Sequence, residues 1–300
     1  MQRIKHLAIT GGTHGNELTG VHLLKHWRNN PEEICRDSFT TELHLANPKA
    51  NQCNRRYLDE DLNRQFGWDD LNDHALCGYE QNRAKSLNTL LGPKDDPRVD
   101  FVLDLHTTTA NMGVTLVIKT DDPFLVGMAF YVKQKMPEVT LFFEPAERMA
   151  DNFLVSLGRH FGLLVEVGPV PQGLLRWDAY ENTRQATLHC LDYVQQVNET
   201  GELPELPEVQ SGFHFVRKVN LPENERGELT AMVHPNLQDA DYQPIKPGEP
   251  LFMSLDGKAI PFDSDRTLYG AFINEAAYYD RHIGLSLMEP VEIKLNRTGR

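Results

Sequence analysis

The sequence is short of cysteine and of long apolar runs. Its four cysteines, Cys35, Cys53, Cys77 and Cys190, are scattered without a C-x-x-C pair. This spacing disfavours a disulfide framework and a thiolate zinc site, and it is typical of reduced thiols. No apolar run approaches the ~20 residues of a membrane-spanning helix. The first five residues lead straight into a strand pattern without a signal-peptide core. We therefore expect a cytoplasmic protein.

Basic charge is also scarce. The chain has 30 Lys and Arg against 43 Asp and Glu, which gives a formal net charge of −13. Binding to nucleic acid needs a surplus of Lys and Arg that neutralises phosphates, so nucleic acid is not an expected partner. An anionic membrane surface is disfavoured for the same reason. If the substrate is an anion, the site must carry its own local positive charge.

A chain of 300 residues with 40% hydrophobic content has room for one large domain, or for a main domain with a smaller partner. Apolar strand patterns alternate with helical patterns through residue 197, which predicts an α/β fold with a mainly parallel sheet flanked by helices. The predicted strands are 4–10, 41–46, 100–105, 114–119, 139–144 and 163–167, and the predicted helices are 18–27, 79–91, 122–136 and 179–197.

The pattern changes after residue 197. Residues 198–207 are polar and contain prolines, as in a linker. Short strand patterns separated by Pro, Gly and Asp turns follow, at 213–220, 251–255, 268–274 and 291–295. We predict an α/β domain of residues 1–204 and a β-rich domain of residues 205–300.

A glycine pair followed by His14 and Glu17 separates the first predicted strand from the first predicted helix. Gly11 and Gly12 permit backbone angles that other residues resist, so the chain can turn sharply and direct both side chains to one point. A catalytic zinc uses such nitrogen and oxygen ligands, three from the protein, and keeps one position open for water. The competing interpretation is an ordinary loop in which Glu17 is favoured by the helix dipole.

His106 follows the buried strand 100–105, at the end where open α/β sheets place their ligands. Asp104 precedes it by two residues, so both side chains lie on the same face of the sheet. Asp104 is therefore placed to orient the imidazole of a metal ligand. Alternatively, His106 hydrogen-bonds nearby backbone without any metal.

Glu166 lies within the apolar strand pattern 163–167. Burying a carboxylate there is costly unless it is paired or functionally needed. Burial also raises the pKa of a carboxyl group towards the range that suits a general base. A structural salt bridge is the alternative.

Segment 51–66 supplies the local positive charge that an anionic substrate would require, because the guanidinium fork of Arg matches a carboxylate. The residues concerned are Arg55, Arg56, Arg64 and the neighbouring Asn63. Three acidic residues in the same segment, Asp59, Glu60 and Asp61, favour instead a salt-bridged loop on the surface.

Eight segments run in order through nearly the whole chain: GGTHGNELTGV (11–21), ANPKA (46–50), RYLDEDLNRQF (56–66), GPKD (92–95), LDLHTTTANMG (103–113), VEVGPVPQGLLR (165–176), HPNLQDADYQPIKPGEPLF (234–252) and INEAAYY (273–279). Together they resemble the aspartoacylase family of zinc amidohydrolases. Eight collinear segments are more specific than any single motif. The resemblance implies a zinc-carboxypeptidase-like domain followed by a β-rich domain that helps to cover the active-site entrance.

The resemblance also implies a role for particular residues. The implied ligands of one Zn²⁺ per subunit are His14, Glu17 and His106. The implied substrate-binding residues are Arg56, Asn63, Arg64, Glu166 and Tyr278. Glu166 would activate a water as general base and pass the proton to the leaving amine, and Arg56 would stabilise the oxyanion. Asn63 and Arg64 would hold the α-carboxylate of the substrate, and Tyr278 would reach in from the second domain.

The chain departs from the family at two positions. The Arg that the family carries ten residues before its catalytic Glu is Ser156 here, and the nearest basic residues are Arg159 and His160. A Lys that follows the substrate-contacting Tyr by four residues is His282. Both usual anchors for an aspartate side chain are therefore replaced, unless a local shift brings Arg159 into place.

The expected activity is zinc-dependent hydrolysis of N-acyl amino acids, with N-acetyl-L-aspartate as the leading substrate, giving acetate and L-aspartate. The nearest alternative is an aminoacylase-3-like deacylase of N-acetylated aromatic or S-substituted amino acids. A non-catalytic zinc protein is disfavoured because both Glu166 and Arg56 are present. A metallo-carboxypeptidase is disfavoured because the second domain should exclude long peptides. The expected partner is a small molecule, and a homo-oligomer is left open.

Overall fold

The computed structural model of the chain describes residues 3–296, so the outer ends of both predicted domains lie outside the described residues. The strands are β1 (His6–Gly11), β2 (Thr40–Leu45), β3 (Phe101–Thr107), β4 (Gly113–Ile118), β5 (Thr140–Phe143), β6 (Gly162–Gly168), β7 (Val209–Asn220), β8 (Ala231–Val233), β9 (Pro244–Ile245), β10 (Pro250–Ser254), β11 (Ala259–Pro261), β12 (Leu268–Ala271) and β13 (Ile283–Lys294). The helices are α1 (Leu18–Asn29), α2 (Pro48–Gln52), α3 (Trp68–Asn72), α4 (Tyr79–Leu91), α5 (Pro123–Lys135) and α6 (Trp177–Thr200).

A ten-stranded sheet forms the centre of the fold, in the order β2-β1-β3-β6-β4-β5-β7-β13-β12-β9. Strand β1 is parallel to β2 and β3, and β3 is parallel to β6. Strand β4 runs antiparallel to β6 and parallel to β5. From β7 onward the neighbours are antiparallel, and β8, β10 and β11 form a separate antiparallel sheet. The predicted fold class, a mainly parallel sheet with helices followed by a smaller β-rich part, is confirmed.

Apolar burial explains why the helices lie where they do. Helix α1 turns Val21, Leu23, Leu24 and Trp27 into the core, which is the helical spacing seen in the sequence. Helix α6 packs on α1 and on α5, and the three helices cover strands β1 (α1), β4 (α5) and β6 (α6), whereas α3 and α4 pack together elsewhere. Within residues 3–296, no helix combines the length and apolarity that crossing a membrane requires.

Several strands differ from their predicted bounds, and the differences at β3 and β13 have a clear physical reason. Strand β3 continues through His106 and Thr107, because both residues remain paired with β6. Strand β13 begins at Ile283 instead of 291 and pairs with β7 along its length. Pro290 interrupts the apolar strand pattern of this segment, so the sequence did not reveal the first part of the strand. Within the described chain, Pro290 has a strand partner only in β7, and a position with one free side tolerates proline.

The sheet continues across the predicted domain boundary at 204/205, which stays a prediction. Helix α6 ends at Thr200, and Gly201 follows it as the C-cap in the left-handed conformation (φ 74°). Strand β7 then joins the same sheet by pairing with β5, Phe142 opposite Phe213. The C-terminal part also has an apolar cluster of its own, which includes Leu221, Phe252 and Phe262.

The loop between β1 and α1 approaches α2 very closely at Gly15. A Cβ atom at this position would lie 2.2 Å from the backbone carbon of Ala50 and 2.2 Å from the nitrogen of Asn51. The amide of Gly15 donates to the carbonyl of Arg56 at 3.0 Å. Glycine therefore allows the segment with His14 and Glu17 to lie against the segment with Arg56.

We predict that Gly15→Ala lowers the free energy of unfolding by about 2–3 kcal/mol, because the clash is with backbone that cannot rotate away. Urea unfolding measures this loss. Gly78→Ala is the matched control, since its nearest atom is the flexible end of Gln81 at 3.1 Å. Equal unfolding midpoints for the two variants would show that the close approach is no constraint.

Candidate active site

The three predicted metal ligands meet at the ends of β1 and β3. His14 lies in the loop after β1, Glu17 immediately precedes α1, and His106 lies in β3; all three are buried. The Nδ1 atom of His14 lies 2.6 Å from Oε1 of Glu17, and Nδ1 of His106 lies 3.0 Å from Oε2. One ligand atom from each residue falls within 4.8 Å of the others. Two imidazoles and a carboxylate are a donor set that fits a catalytic zinc.

A second carboxylate holds the far side of each imidazole. Nε2 of His14 lies 3.0 Å from Asp61, and Nε2 of His106 lies 2.7 Å from Asp104. Such contacts fix the ring orientation and leave Nδ1 free to face an ion. The contact of Asp104 was expected. The role of Asp61 was missed, although its position two residues before Asn63 was an available signal.

The charges around the imidazoles favour a cation. Burial alone would raise the pKa of Glu17, but the charges of His14 and His106 outweigh burial and hold this pKa well below its usual range. Burial alone would lower the pKa of His106, but Asp104 and Glu17 raise it well above its usual value. Carboxylates thus surround both rings, which is an environment that attracts a positive ion.

The arginines of segment 51–66 separate in space. Arg56 donates to Glu17 at 3.2 Å and to Asp61 at 3.2 Å, so its guanidinium lies beside the ligand cluster. Arg55 is exposed and does not reach the cavity. The hypothesis of a salt-bridged surface loop is therefore wrong for Arg56, whose partners are buried.

Glu166 lies on β6, directly opposite His106 on β3. Burial raises the pKa of Glu166 to about 8. No side chain within residues 3–296 forms an ion pair with this carboxylate, which removes the salt-bridge interpretation. A carboxyl group with this pKa is suited to accept and return protons near neutral pH.

All eight predicted site residues line one cavity of about 280 Å³. They are His14, Glu17, Arg56, Asn63, Arg64, His106, Glu166 and Tyr278. The rest of the lining includes an apolar wall, formed by Val117, Phe142, Phe153, Leu164, Phe215 and Phe272. Lys218 of β7 adds a cation that the sequence analysis did not single out.

Comparison with known proteins agrees with this geometry. Residues 3–194 match the family model "Succinylglutamate desuccinylase/Aspartoacylase catalytic domain", and residues 209–290 match the "AstE/AspA barrel-sandwich hybrid domain". The chain is 42% identical to a probable aspartoacylase of Nostoc sp., over 96% of this chain and 97% of that protein.

The chain belongs to the aspartoacylase family.

Two further relatives show the range of activities in the family. The chain is 39% identical to a mouse protein named N-acyl-aromatic-L-amino acid amidohydrolase (carboxylate-forming), over 96% of this chain and 91% of that protein. The crystal structure of murine aminoacylase 3 superposes with a TM-score of 0.90 at 38% identity and covers 98% of each chain. The family consists of hydrolytic enzymes that act on amides, so this chain is an amidohydrolase.

In this aspartoacylase-family enzyme, the residues at the two departing positions and their basic neighbours lie outside the cavity lining. Their contacts are Ser156 with Lys94 (2.8 Å), Arg159 with Asp100 (3.6 Å), His160 with Asp122 (3.8 Å) and His282 with Glu223 (2.9 Å). No local shift therefore brings Arg159 into the cavity.

Glu275 connects the C-terminal part of the enzyme to the residues that follow β3, beside the site. Its Oε2 atom accepts hydrogen bonds from the amides of Thr109 (2.7 Å) and Ala110 (3.2 Å) and from the hydroxyl of Thr108. The following 3-10 segment, Ala276–Arg281, carries Tyr278 into the cavity. Burial raises the pKa of Tyr278 to about 12, so its hydroxyl stays protonated at neutral pH.

Removing this carboxylate should loosen the contact between the two parts. We predict that Glu275→Ala lowers the free energy of unfolding by about 3 kcal/mol, because buried donors lose a charged acceptor. Thermal and urea unfolding measure the change. In the control Glu249→Ala, an exposed carboxylate that accepts from the amide of Lys246 (2.8 Å) is lost, and the effect should stay below about 1 kcal/mol. Similar losses in both variants would contradict the prediction.

Proposed function

We propose that the chain is a zinc-dependent amidohydrolase that cleaves N-acyl amino acids to a carboxylate and a free amino acid. The observation that carries the proposal is the meeting of three metal-ligating side chains with Glu166 and Arg56 in one cavity. A metal site alone would fit a structural ion. A base and a guanidinium beside it are the groups that amide hydrolysis requires.

The proposed zinc ligands are His14, Glu17 and His106, one ion per subunit. Neutral imidazole nitrogen and carboxylate oxygen are typical donors of catalytic zinc, and three protein ligands leave a position open. When bound, zinc lowers the pKa of a water molecule and polarises a carbonyl group. Asp61 and Asp104 keep the two imidazoles oriented for this ion through their contacts with Nε2.

Glu166 is the proposed general base. Its carboxylate accepts a proton from the water that attacks the amide carbon, and it then gives a proton to the leaving nitrogen. A pKa of about 8 without a nearby ion lets the group hold a proton between these two transfers. With a divalent cation bound at the three ligands, the pKa of Glu166 would be lower and its basic form would predominate at neutral pH.

Arg56 is proposed to stabilise the oxyanion that forms at the attacked carbonyl. Its guanidinium is fixed by Glu17 and Asp61, so it needs no reorganisation when charge develops on the substrate oxygen. Asn63 and Arg64 are proposed to bind the α-carboxylate. Asn63 accepts from the amide of Leu154 through Oδ1 (2.8 Å), which fixes its side-chain amide in one orientation.

The wall of the cavity supports an apolar or aromatic side chain on the substrate. Phe142, Phe215 and Phe272 offer contact surface, and neither departing position supplies a cation. The relative named for N-acyl-aromatic amino acids supports the same choice. N-Acetyl-L-aspartate is the second candidate, because Lys218 and Arg64 bring positive charge to the same cavity.

We predict that Glu166→Gln keeps the metal but loses about 10³-fold or more in kcat, because general base catalysis contributes a factor of this order. Metal analysis of the purified protein and assays with added zinc measure the two properties. Glu249→Gln, far from the cavity lining, is the control and should match the wild type. Wild-type turnover by Glu166→Gln would contradict the proposed base.

We predict that kcat/KM for N-acetyl-L-tyrosine exceeds that for N-acetyl-L-aspartate by about 10-fold or more, which corresponds to ~1.4 kcal/mol of transition-state binding. The reason is the apolar wall. Steady-state assays on zinc-replete enzyme measure the ratio, and Lys218→Met should reduce turnover of the aspartate derivative selectively. A reversed ratio would favour the second candidate, and no turnover of any N-acyl amino acid would contradict the proposed function.

A further inference from the structure

We propose that Lys94, a buried lysine outside the cavity, is a positioning residue that holds together the two segments bearing the carboxylate-binding side chains. The inference rests on the proposed role of Asn63 and Arg64 as ligands of the substrate α-carboxylate. It concerns a residue that touches no substrate. Its effect on the reaction passes through the loops to which it is bonded.

The ammonium group of Lys94 is fully enclosed and fully hydrogen-bonded. Its side chain has no solvent exposure. Nζ donates to the carbonyl of Phe66 (2.6 Å), to the carbonyl of Asp151 (2.6 Å) and to the hydroxyl of Ser156 (2.8 Å). An ammonium group has three N–H donors, so each of them has a partner. None of the three acceptors carries a charge.

A buried charge with neutral acceptors is costly, so its presence needs a reason. The three acceptors converge on one point from two different segments. Among long side chains, the ammonium of lysine places three donors on a single atom, whereas the donors of arginine are spread over a planar fork. The arrangement of the three acceptors therefore suits the geometry of a lysine ammonium group. Through its hydrogen bonds, this one group connects three residues of the chain.

The connection joins segment 62–66 to segment 151–156. Phe66 belongs to the first segment, and Asp151 and Ser156 belong to the second. Backbone also links the two segments, since the amide of Phe66 donates to the carbonyl of Asn152 at 3.2 Å. Lys94 itself is anchored to α4, because its amide donates to the side chain of Asn88 at 2.8 Å. Hydrogen bonds through Lys94 thus connect both segments to helix α4.

These two segments form one side of the cavity. Asn63 and Arg64 come from the first, and Phe153 comes from the second. They also contact each other: Leu154 donates to Asn63 at 2.8 Å, and the guanidinium of Arg64 lies 4.4 Å from the centre of the Phe153 ring. If the segments separate, Asn63 and Arg64 lose their supports together. Lys94 therefore sets the geometry of the proposed carboxylate site.

The protonation state of Lys94 makes the connection depend on pH. Burial lowers the pKa of Lys94 to about 8. The charged groups that face it are Asp151 and Glu147, which raise this pKa, and Arg148, which lowers it. Below pH 8 all three donors are present. Above pH 8 the neutral amine has two N–H donors, so it can no longer donate to all three acceptors at once.

The folding stability of the protein changes with pH in the opposite direction, so unfolding cannot explain a loss of substrate affinity above pH 8. The pKa of Lys94 is lower in the folded protein than the ordinary value of 10.5, so the unfolded chain binds more protons between pH 8 and 10.5. The contribution of this group to folding stability therefore rises with pH across that window. A loss of substrate affinity above pH 8 that depends on Lys94 must come from the contacts of the amine.

The decisive experiment compares a free α-carboxylate with an α-carboxamide in the substrate. KM and kcat of Lys94→Met are measured for an N-acetyl amino acid and for the α-amide of the same compound. We expect KM for the acid to rise about 10-fold, with kcat within about 3-fold and little change in KM for the amide. The KM of the wild type for the acid should rise above pH 8, and that of the variant should not follow.

Two further variants complete the test. Lys85→Met is the matched control, because Nζ of Lys85 also donates to two backbone carbonyls, of Asp73 (2.5 Å) and Leu76 (2.6 Å), in another part of the chain. It should behave as the wild type. If Lys94→Met does not fold, Ser156→Ala removes one of the three contacts, and a KM increase of about 3-fold for the acid alone is expected.

The outcomes separate this inference from the proposed function. In Lys94→Met, or in Ser156→Ala if that variant replaces it, an equal increase in KM for the acid and for the amide would overturn the positioning role. If Asn63→Ala discriminates acid from amide while Lys94→Met does not, only the role of Lys94 is wrong. If Asn63→Ala itself does not discriminate, the proposed carboxylate site is wrong and the inference falls with it.

Discussion

The Glu17 carboxylate is the group on which the candidate site depends. Both imidazoles face it through Nδ1, Arg56 donates to it, and the amide of Thr107 donates to Oε2 at 3.1 Å. One side chain at the start of α1 therefore connects the loop after β1, the end of β3 and the segment after α2. Because the carboxylate is buried, its negative charge must be balanced locally, and the guanidinium of Arg56 that contributes to this balance is also a group that the proposed chemistry requires.

The sequence predicted well whatever depends on local pattern. The alternation of apolar strands and helices predicted the sheet, and the glycine pair predicted that the side chains of His14 and Glu17 meet at one point, because both signals lie within a few residues. The resemblance extended this to residues distant in the chain, and all of them line one cavity. Strand β13 was predicted too short because Pro290 interrupts an apolar pattern that tolerates it in the folded protein.

The residues that were missed make contacts far away in the chain. Asp61 meets His14 across 47 positions, and Lys94 meets Ser156 across 62. A lysine before a turn has no local feature that indicates burial, and for Asp61 the signal was its closeness to Asn63, a residue that only the resemblance had assigned to the site. Ser156 illustrates the converse. Its position in the sequence predicted that the substrate site lacks a basic anchor. In the structure, its hydroxyl group accepts a hydrogen bond from Lys94.

The pairing of β5 with β7 has a consequence for how a substrate enters. The two parts of the chain share one hydrogen-bonded sheet, and the side chain of His214 on β7 also contacts the carbonyl of Phe143 on β5 at 2.8 Å. A hinge motion of the whole C-terminal part would have to break this ladder. We therefore expect the shared sheet to hold the two parts together, so that selection of substrates by size depends on dimensions set when the protein folds.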